Sequence, residues 1–143
     1  MKIEIKKLDP DAILPVFAHP GDAGLDLYSI ENIELKPGDR MLCGTGIGMK
    51  IPDNYTGLIW DRSGLAVKEG IISIAGVVDS GYRGEIKVAL VNLGQNSYEI
   101  KRGEKIAQMI IQKFEKPEFI EADKWDDKET SRGEGSFGST GTN

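Results

Sequence analysis

The sequence contains almost no cysteine or histidine: Cys43 and His19 are the only residues of their kinds among 143. A single cysteine excludes an internal disulfide framework, and one cysteine with one histidine leaves no zinc site of the usual spacing. Any bound metal is therefore expected to be a hard cation held by oxygen ligands. A Ser–His or Cys–His catalytic pair is not supported either, because His19 lies in a loop pattern and Cys43 in a strand pattern typical of a core residue.

Long apolar runs are absent as well. No stretch approaches the roughly 20 apolar residues of a membrane helix, and the N-terminal MKIEIKKLDPD alternates apolar with charged residues, unlike a signal peptide. We therefore expect a soluble, intracellular, cytoplasmic protein without a membrane partner. The formal net charge of −5 argues against direct nucleic-acid binding, which usually requires a basic surface.

Short strand patterns make up most of the chain. Apolar and polar residues alternate in segments such as IEIKK, YTGLIW and KIAQMIIQKF, and turn signals such as KPGD and PDN separate them. Many short strands with regular punctuation predict one all-β domain, which is a sandwich, jelly roll or barrel. Only RSGLAVK is a candidate for one or two helical turns.

Four local patterns extend this prediction. IISIAGVV is predicted to run as one strand into Asp79 and to return through EIKVALV as a hairpin. A last strand is expected near residues 118–122, followed by a mobile arm. IELKPGDRM and YEIKRGEKI share a strand, glycine turn and strand pattern, which suggests two similar hairpins. VALVNL is apolar on both faces, so it is either a central strand or a strand buried against other copies of the chain.

Two glycine-containing stretches combine a turn with charged or hydroxyl side chains. In AGLDLYS, Asp26 stands between two leucines and is expected to point away from the core, where it either holds Mg²⁺ or is an ordinary surface carboxylate. In DRSGLA, Arg62, Ser63 and the backbone N–H of Gly64 form a candidate phosphate cradle. A capped turn without any ligand explains the same letters.

The stretch AGVVDSGYRGEI places Asp79 at the end of an apolar strand. Partial desolvation there is expected to raise the basicity of its carboxylate, which suits proton abstraction from water. Tyr82 follows across the turn and offers a flat wall for a ligand. The alternative is a simple Asp-Ser-Gly turn.

The C-terminal SRGEGSFGSTGTN is rich in glycine but carries Arg132 and Phe137. Three interpretations of this segment are open: a nucleic-acid-binding segment, a disordered end without a function, or a lid that closes over a ligand. A lone arginine in an acidic chain is a poor polycation. In a lid, Arg132 would pair with phosphate oxygens, Phe137 would stack on a planar ring and Ser139 would cap a terminal phosphate.

Taken in order, these stretches resemble the five motifs of the trimeric dUTPase family, whose members hydrolyse dUTP to dUMP and pyrophosphate. The first three motifs match AGLDLYS, DRSGLA and GVVDSGYRGEI, and the last two match RGEKIAQMII and RGEGSFGSTG, so the resemblance extends from Ala23 to Gly141. It implies a distorted jelly-roll or β-clip-like subunit with one short helical turn, in a homotrimer that exchanges its C-terminal arms. The β domain would occupy residues 1–128 and the flexible arm residues 129–143. The implied role is to limit uracil incorporation into DNA and to supply dUMP for thymidylate synthesis.

The resemblance also implies roles for individual residues. Asp79 would activate the water that attacks the α-phosphorus, and Asp26 would hold Mg²⁺, the implied cofactor, through a water molecule. The remaining residues would bind dUTP, the implied substrate: Arg62, Ser63, Gly64, Gly76, Val77, Val78, Tyr82, Lys87, Gln108, Arg132, Phe137, Gly138 and Ser139.

Three letters depart from the family pattern. Ser136 replaces a glycine before Phe137, Asp61 adds a negative charge beside Arg62, and Gly81 stands where an acid is common. Two other functions stay open at this point. One is a dCTP deaminase-like enzyme of the same fold, although such enzymes typically lack the Arg…Phe-Gly-Ser-Thr-Gly tail. The other is a non-catalytic nucleotide-binding module, which would not need an intact Asp79 or arm.

Overall fold

The computed structural model describes residues 1–123, which form eleven strands and one short helix. The strands are β1 (Glu4–Lys7), β2 (Leu25–Tyr28), β3 (Ile33–Leu35), β4 (Arg40–Gly44), β5 (Ile47–Lys50), β6 (Tyr55–Trp60), β7 (Ile71–Ser73), β8 (Val77–Val78), β9 (Lys87–Asn92), β10 (Tyr98–Ile100) and β11 (Lys105–Lys113). Helix α1 (Ser63–Glu69) overlaps the predicted RSGLAVK segment and ends one residue beyond it. The prediction of a β fold with one short helical stretch is confirmed.

All strand pairs are antiparallel and form four small sheets. Two are pairs, β1–β5 and β3–β10, and one is three-stranded in the order β4-β9-β7. The fourth has the order β2-β11-β6-β8 and carries most of the functional motifs. Its long strand β11 pairs with both β2 and β6, so it brings the first, second and fourth motifs side by side.

The core lies between the sheets and contains mainly branched aliphatic side chains. Alternation along β9 buries Val88 and Leu90 while Lys87 stays exposed, as a half-buried antiparallel strand requires. Cys43 is fully buried in this core and His19 is exposed, as predicted. The segment VALVNL is therefore not buried on both faces within this chain, since Ala89 and Val91 remain partly accessible.

One hairpin prediction and one strand prediction are wrong. IISIAGVV is divided between β7 and β8, because the chain crosses from the three-stranded to the four-stranded sheet between Ser73 and Val77. Strand β8 pairs with β6, and β9 pairs with β4 and β7. The strand predicted near residues 118–122 is also not formed: this stretch is exposed and has no regular secondary structure, and both sides of β11 are already occupied by β2 and β6.

The internal repeat has a different meaning from two hairpins. Its first strands, β3 and β10, pair with each other, whereas β4 and β11 leave for different sheets. The turns themselves are alike: Gly38 and Gly103 both have positive φ, of 82° and 83°. The Asp39 carboxylate accepts the Lys36 N–H in one turn, as the Glu104 carboxylate accepts the Lys101 N–H in the other.

Within residues 1–123, no helix has the length and apolar character needed to cross a membrane.

Candidate active site

One group of predicted residues meets where β2, β11 and the start of α1 come together. Gln108 of β11 is in register with Asp26 of β2 on one side and with Trp60 of β6 on the other. Arg62 follows β6 in an extended conformation and precedes the first residue of α1. Asp26, Arg62, Lys105 and Gln108 are called the β11 cluster below.

The Asp26 carboxylate is buried against two cations. Its Oδ2 lies 2.6 Å from Lys105 Nζ, in a geometry that suits an ion pair better than a directed hydrogen bond. Its Oδ1 lies 3.5 Å from Arg62 Nε. Asp26 is only 8% exposed, so it is not the ordinary surface carboxylate that was one of the two alternatives: the long side chains of Lys105 and Arg62 lie against it.

Lys105 was not predicted from the sequence. Contact with Asp26 raises the pKa of its ammonium group, with partial desolvation acting in the opposite direction. Lys105 also lies over the Tyr28 ring, and its backbone carbonyl accepts a hydrogen bond from Arg62 Nη1 at 3.2 Å. The lysine is visible in the fourth motif, but its role depends on the register of β11 against β2.

Gln108 is held by the backbone of the second motif. Its Nε2 donates to the Asp61 carbonyl oxygen at 2.8 Å. A β-carbon at Gly24 would overlap Gln108 Oε1, so the glycine of the first motif makes room for this side chain. Three motifs are therefore fitted to one another around Gln108.

The start of α1 is open to solvent next to Arg62. Ser63 and Gly64 are exposed. The Ala66 N–H donates to the Arg62 carbonyl, so the N–H groups of Ser63 and Gly64 precede the first helical hydrogen bond. A β-carbon at Gly64 would meet no atom of the described chain within 4 Å, so packing within residues 1–123 does not require glycine there.

A second group of predicted residues lines a pocket beside β8. This β8 pocket has a volume of about 280 Å³. It is lined by Leu42, Val77, Val78, Asp79, Tyr82, Glu85, Ile86 and Lys87. Five of these residues were predicted to contact substrate or to act on it, whereas Leu42, Glu85 and Ile86 were not.

The pocket combines an edge strand with a stiffened turn. Strand β8 is the last of its sheet and pairs only with β6, so one side of its backbone is available to a ligand. Tyr82 N–H donates to the Asp79 carbonyl, and Tyr82 Oη donates to the Glu85 carbonyl. Glu85 Oε2 lies 3.4 Å from Lys87 Nζ, so Glu85 links two predicted substrate contacts.

Asp79 and Gly76 differ from their expected settings. Asp79 is exposed because it lies beyond the end of β8, so this chain alone does not provide the predicted desolvation. Gly76 lies outside the β8 pocket and lines a neighbouring cavity of about 340 Å³ with Trp60 and Asp61. Its carbonyl accepts the Ile59 N–H, and a β-carbon there would lie 2.6 Å from Ile59 O.

The β11 cluster extends from the edge strand β2 across β11 to the residues after β6, whereas the β8 pocket lies at the opposite edge of the same sheet. Asp26 is on the first strand and Val78 on the fourth, and three strand spacings correspond to about 14 Å. The described residues contain no group of three or more Asp, Glu, His or Cys side chains arranged to hold a metal directly. Arg132, Phe137, Gly138 and Ser139 of the predicted arm lie outside the described residues, as does the departure at Ser136.

Comparison with known proteins identifies the family. A family model described as dUTPase matches residues 11–141. The chain belongs to the dUTPase family. The dUTPase-like enzyme predicted from the five motifs is thereby confirmed.

Relatives within the dUTPase family match nearly the whole chain. A protein from Clostridium kluyveri named deoxyuridine 5'-triphosphate nucleotidohydrolase is 49% identical, with 99% of both chains covered. A protein of the same name from Rhodococcus erythropolis is also 49% identical, and the match covers 99% of this chain and 87% of the Rhodococcus protein. The structure of Staphylococcus bacteriophage 80alpha dUTPase with dUpNHpp superposes with a TM-score of 0.93 at 28% identity, over 99% of each chain.

Proposed function

We propose that this dUTPase-family chain hydrolyses dUTP to dUMP and pyrophosphate, with Asp79 as the base that activates water. The observation that carries the proposal is the β8 pocket, which places Asp79 and Tyr82 beside an edge strand with free backbone groups. The proposed cellular role is to limit uracil incorporation into DNA and to supply dUMP for thymidylate synthesis.

Uracil would pair with the free side of the β8 backbone. The Gly76 and Val78 carbonyls accept hydrogen bonds from the Ile59 N–H and the Thr56 hydroxyl, so both face β6. Val77 between them turns its N–H and C=O to the free side, where they can match the donor and acceptor pattern of uracil and mismatch that of cytosine. A close fit would exclude the methyl group of thymine. Tyr82 would lie against the deoxyribose and leave no room for a 2′-hydroxyl, and Lys87 lies at the same pocket. Gly76 would contribute by holding β8 close to β6, since its carbonyl is bonded to Ile59 N–H.

The phosphates would bind at the β11 cluster and the start of α1. Arg62 offers a planar guanidinium, and Ser63 and Gly64 add a hydroxyl and backbone N–H groups. Gln108 would contact the phosphate chain from β11. The missing side chain at Gly64 lets a phosphate oxygen approach the backbone closely.

Hydrolysis would then proceed by in-line displacement. Asp79 takes a proton from water as the water oxygen bonds to the α-phosphorus. The bond from the α-phosphorus to the bridging oxygen breaks, and pyrophosphate leaves with the electron pair. A ligand or neighbouring subunit that covers the exposed Asp79 would supply the desolvation that the single chain lacks.

The residues present fit a Mg²⁺ ion that arrives with the triphosphate. Asp26 is one buried carboxylate between two cations, and this donor set cannot enclose a metal by itself. Asp26 would hold the ion through a water molecule, while phosphate oxygens complete its shell. When bound, Mg²⁺ would neutralise phosphate charge.

A homotrimer would bring together the β11 cluster and the β8 pocket, which are the two half-sites of the proposed active site. Since Asp26 and the β8 pocket lie on opposite edges of a sheet, one subunit would supply phosphate contacts to the base pocket of another. The three-stranded sheet presents apolar residues for such contacts: Leu42 is 59% exposed, and both its partner Ala89 and Val91 of the same strand β9 are half-buried.

The C-terminal arm, residues 129–143, would close over the assembled site beyond the β domain of residues 1–128. Arg132 would bind the outer phosphates and Phe137 would stack over uracil, a contact worth about 1–3 kcal/mol. Gly138 and Ser139 would cap the γ-phosphate.

The test is to incubate the protein with Mg²⁺ and dUTP, dCTP, dTTP or UTP and to separate the products. We expect pyrophosphate and dUMP from dUTP, and far slower turnover of the other three. Asp79→Asn should lower kcat by about 10²–10⁴-fold while dUTP still binds. Asp53→Asn, which changes an exposed acid in the β5–β6 turn, should behave like the wild type. Deamination of dCTP without pyrophosphate release, or normal turnover by Asp79→Asn, would contradict the proposal.

A further inference from the structure

Asp61 stands directly before Arg62, where its negative charge departs from the family pattern. Its carboxylate accepts two hydrogen bonds from one residue. Oδ1 lies 2.5 Å from the Ser73 backbone nitrogen and 2.7 Å from Ser73 Oγ, which both donate to it. Asp61 and Ser73 are each half-buried, so these bonds are partly shielded from water.

The contact joins two sheets. Asp61 follows β6 in the four-stranded sheet, whereas Ser73 ends β7 in the three-stranded sheet. Strands β6 and β7 are not paired with each other in the described sheets, and α1 connects them along the chain. The Asp61 carboxylate therefore fixes the position at which the chain leaves β6 and enters α1.

The same residue holds part of the β11 cluster. The Asp61 carbonyl accepts the Gln108 Nε2 hydrogen bond at 2.8 Å. The next residue along the chain is Arg62, whose Nε lies 3.5 Å from Asp26. Any shift of the Asp61 backbone would move both a carbonyl that orients Gln108 and the Cα from which Arg62 extends.

We infer that Asp61 is a positioning residue for phosphate recognition: hydrogen bonding to Ser73 locks its backbone, and the locked backbone places Arg62 and Gln108. This inference rests on the proposed binding of the triphosphate by these two side chains. What Asp61 contributes is a hydrogen-bond acceptor in a fixed place, and its negative charge is not needed for that purpose.

This distinction can be tested because asparagine keeps the acceptor and removes the charge. We expect Asp61→Asn to bind a non-hydrolysable α,β-imido analogue of dUTP within about threefold of the wild type. Asp61→Ala should weaken that binding about tenfold or more, because an acceptor of two hydrogen bonds is lost. Affinity for dUMP, which lacks the outer phosphates, should change by less than about threefold in both variants.

Two further variants separate positioning from folding. Ser73→Ala keeps the backbone N–H and loses only the hydroxyl, so it should weaken analogue binding in the same direction by a smaller factor. Asp39→Ala removes a comparable carboxylate contact to a backbone N–H in a remote turn, and we expect normal binding. In a Gln108→Ala background, Asp61→Ala should cost less than it does in the wild type, since one of its two targets is gone.

The outcomes are distinct. If Asp61→Asn binds the analogue as poorly as Asp61→Ala, the charge is essential and the inference is wrong. If both variants bind it more tightly than the wild type, Asp61 opposes phosphate as its charge alone suggests, and the inference is again wrong. Binding without dUTP hydrolysis by the wild type would overturn the proposed function but would still decide the role of Asp61. A wild type that does not bind the analogue would overturn both.

Discussion

At the scale of single residues, Tyr98 and Glu104 show how a half-buried hydrogen bond makes stability depend on pH. The Tyr98 hydroxyl donates to the Glu104 carboxylate, whose other oxygen accepts the Lys101 N–H. Burial, followed by the hydrogen bond and the negative charge of Glu104, raises the pKa of Tyr98 to about 12. An ordinary tyrosine has a pKa near 10.

The raised pKa predicts an alkaline loss of stability. Between about pH 10 and pH 12 the unfolded chain loses the Tyr98 proton while the folded chain keeps it, so the free energy of unfolding falls as pH rises. Below pH 10 this contribution is fully present. Tyr98→Phe removes the titrating group and should cost about 0.5–1.5 kcal/mol at pH 8.

Urea denaturation at a series of pH values measures this difference. The gap in stability between wild type and Tyr98→Phe should shrink from pH 10 upward, and an unchanging gap up to pH 12 would contradict the prediction. Comparing the two proteins at each pH cancels the titration of the other tyrosines and lysines.

Sequence patterns identified residues whose chemistry is local and missed those that depend on pairing. Asp79 and Tyr82 are three residues apart in one turn, so their closeness in sequence is enough to predict that they line the same pocket. Lys105 meets Asp26 only through the register of β11 with β2, and no spacing along the chain shows that register. The binding roles of Arg132 and Phe137 stay predictions.

At the scale of elements, α1 ends at a glycine that satisfies two demands at once. Gly70 has a φ of 73°, which favours glycine, and its N–H donates to the Ala66 carbonyl. A β-carbon on it would lie 2.5 Å from the backbone nitrogen of Gly94. Gly38 has a similar φ of 82°, but a β-carbon there would meet no atom of the described chain within 4 Å.

The pair of glycines separates backbone strain from crowding. Gly38→Ala should cost about 1–2 kcal/mol of unfolding free energy, which is the penalty of a left-handed conformation. Gly70→Ala should cost a further 1–3 kcal/mol or so, because the Gly94 backbone must move aside. Equilibrium denaturation of both variants checks this, and equal losses would show that α1 and the β9–β10 connection are not closely packed in solution.

The boundaries of elements were the weakest part of the sequence prediction. IISIAGVV contains no charged residue or proline and only one polar residue, Ser73, yet it serves two sheets, because Ile74 and the residues after it cross between them. Apolar continuity shows that a segment is buried, but it does not show against which strand. The turns at Gly38 and Gly103 were easier to predict, since a positive φ strongly favours glycine and glycine is visible in the sequence.

At the scale of the whole molecule, the separation of the two half-sites predicts complementation between inactive subunits. Arg62→Ala damages the β11 cluster and Asp79→Asn damages the β8 pocket. If a site takes one half from each of two subunits, unfolding and refolding an equal mixture of the variants should create intact sites. Random assembly predicts recovery of about a quarter of wild-type activity.

The dUTPase assay on the refolded mixture measures this recovery, with each variant refolded alone as its control. A site built within one chain would carry one defect in every copy, so the mixture would then be no more active than the separate variants. Sedimentation of the refolded mixture reports whether the subunits reassembled.

The pairing of β3 with β10 has a consequence for the rate of folding. It joins Leu35 to Tyr98, so all the strands from β4 to β9 lie in the loop that it closes. Closing a flexible loop of about 60 residues costs about 3–4 kcal/mol of chain entropy before any distant contact compensates for it. Such a topology has a high contact order and folds slowly. Arg62 lies inside this loop and Asp26 outside it. We therefore expect that, in a newly made chain, the β11 cluster forms and phosphate can bind only late, after β3 and β10 have paired.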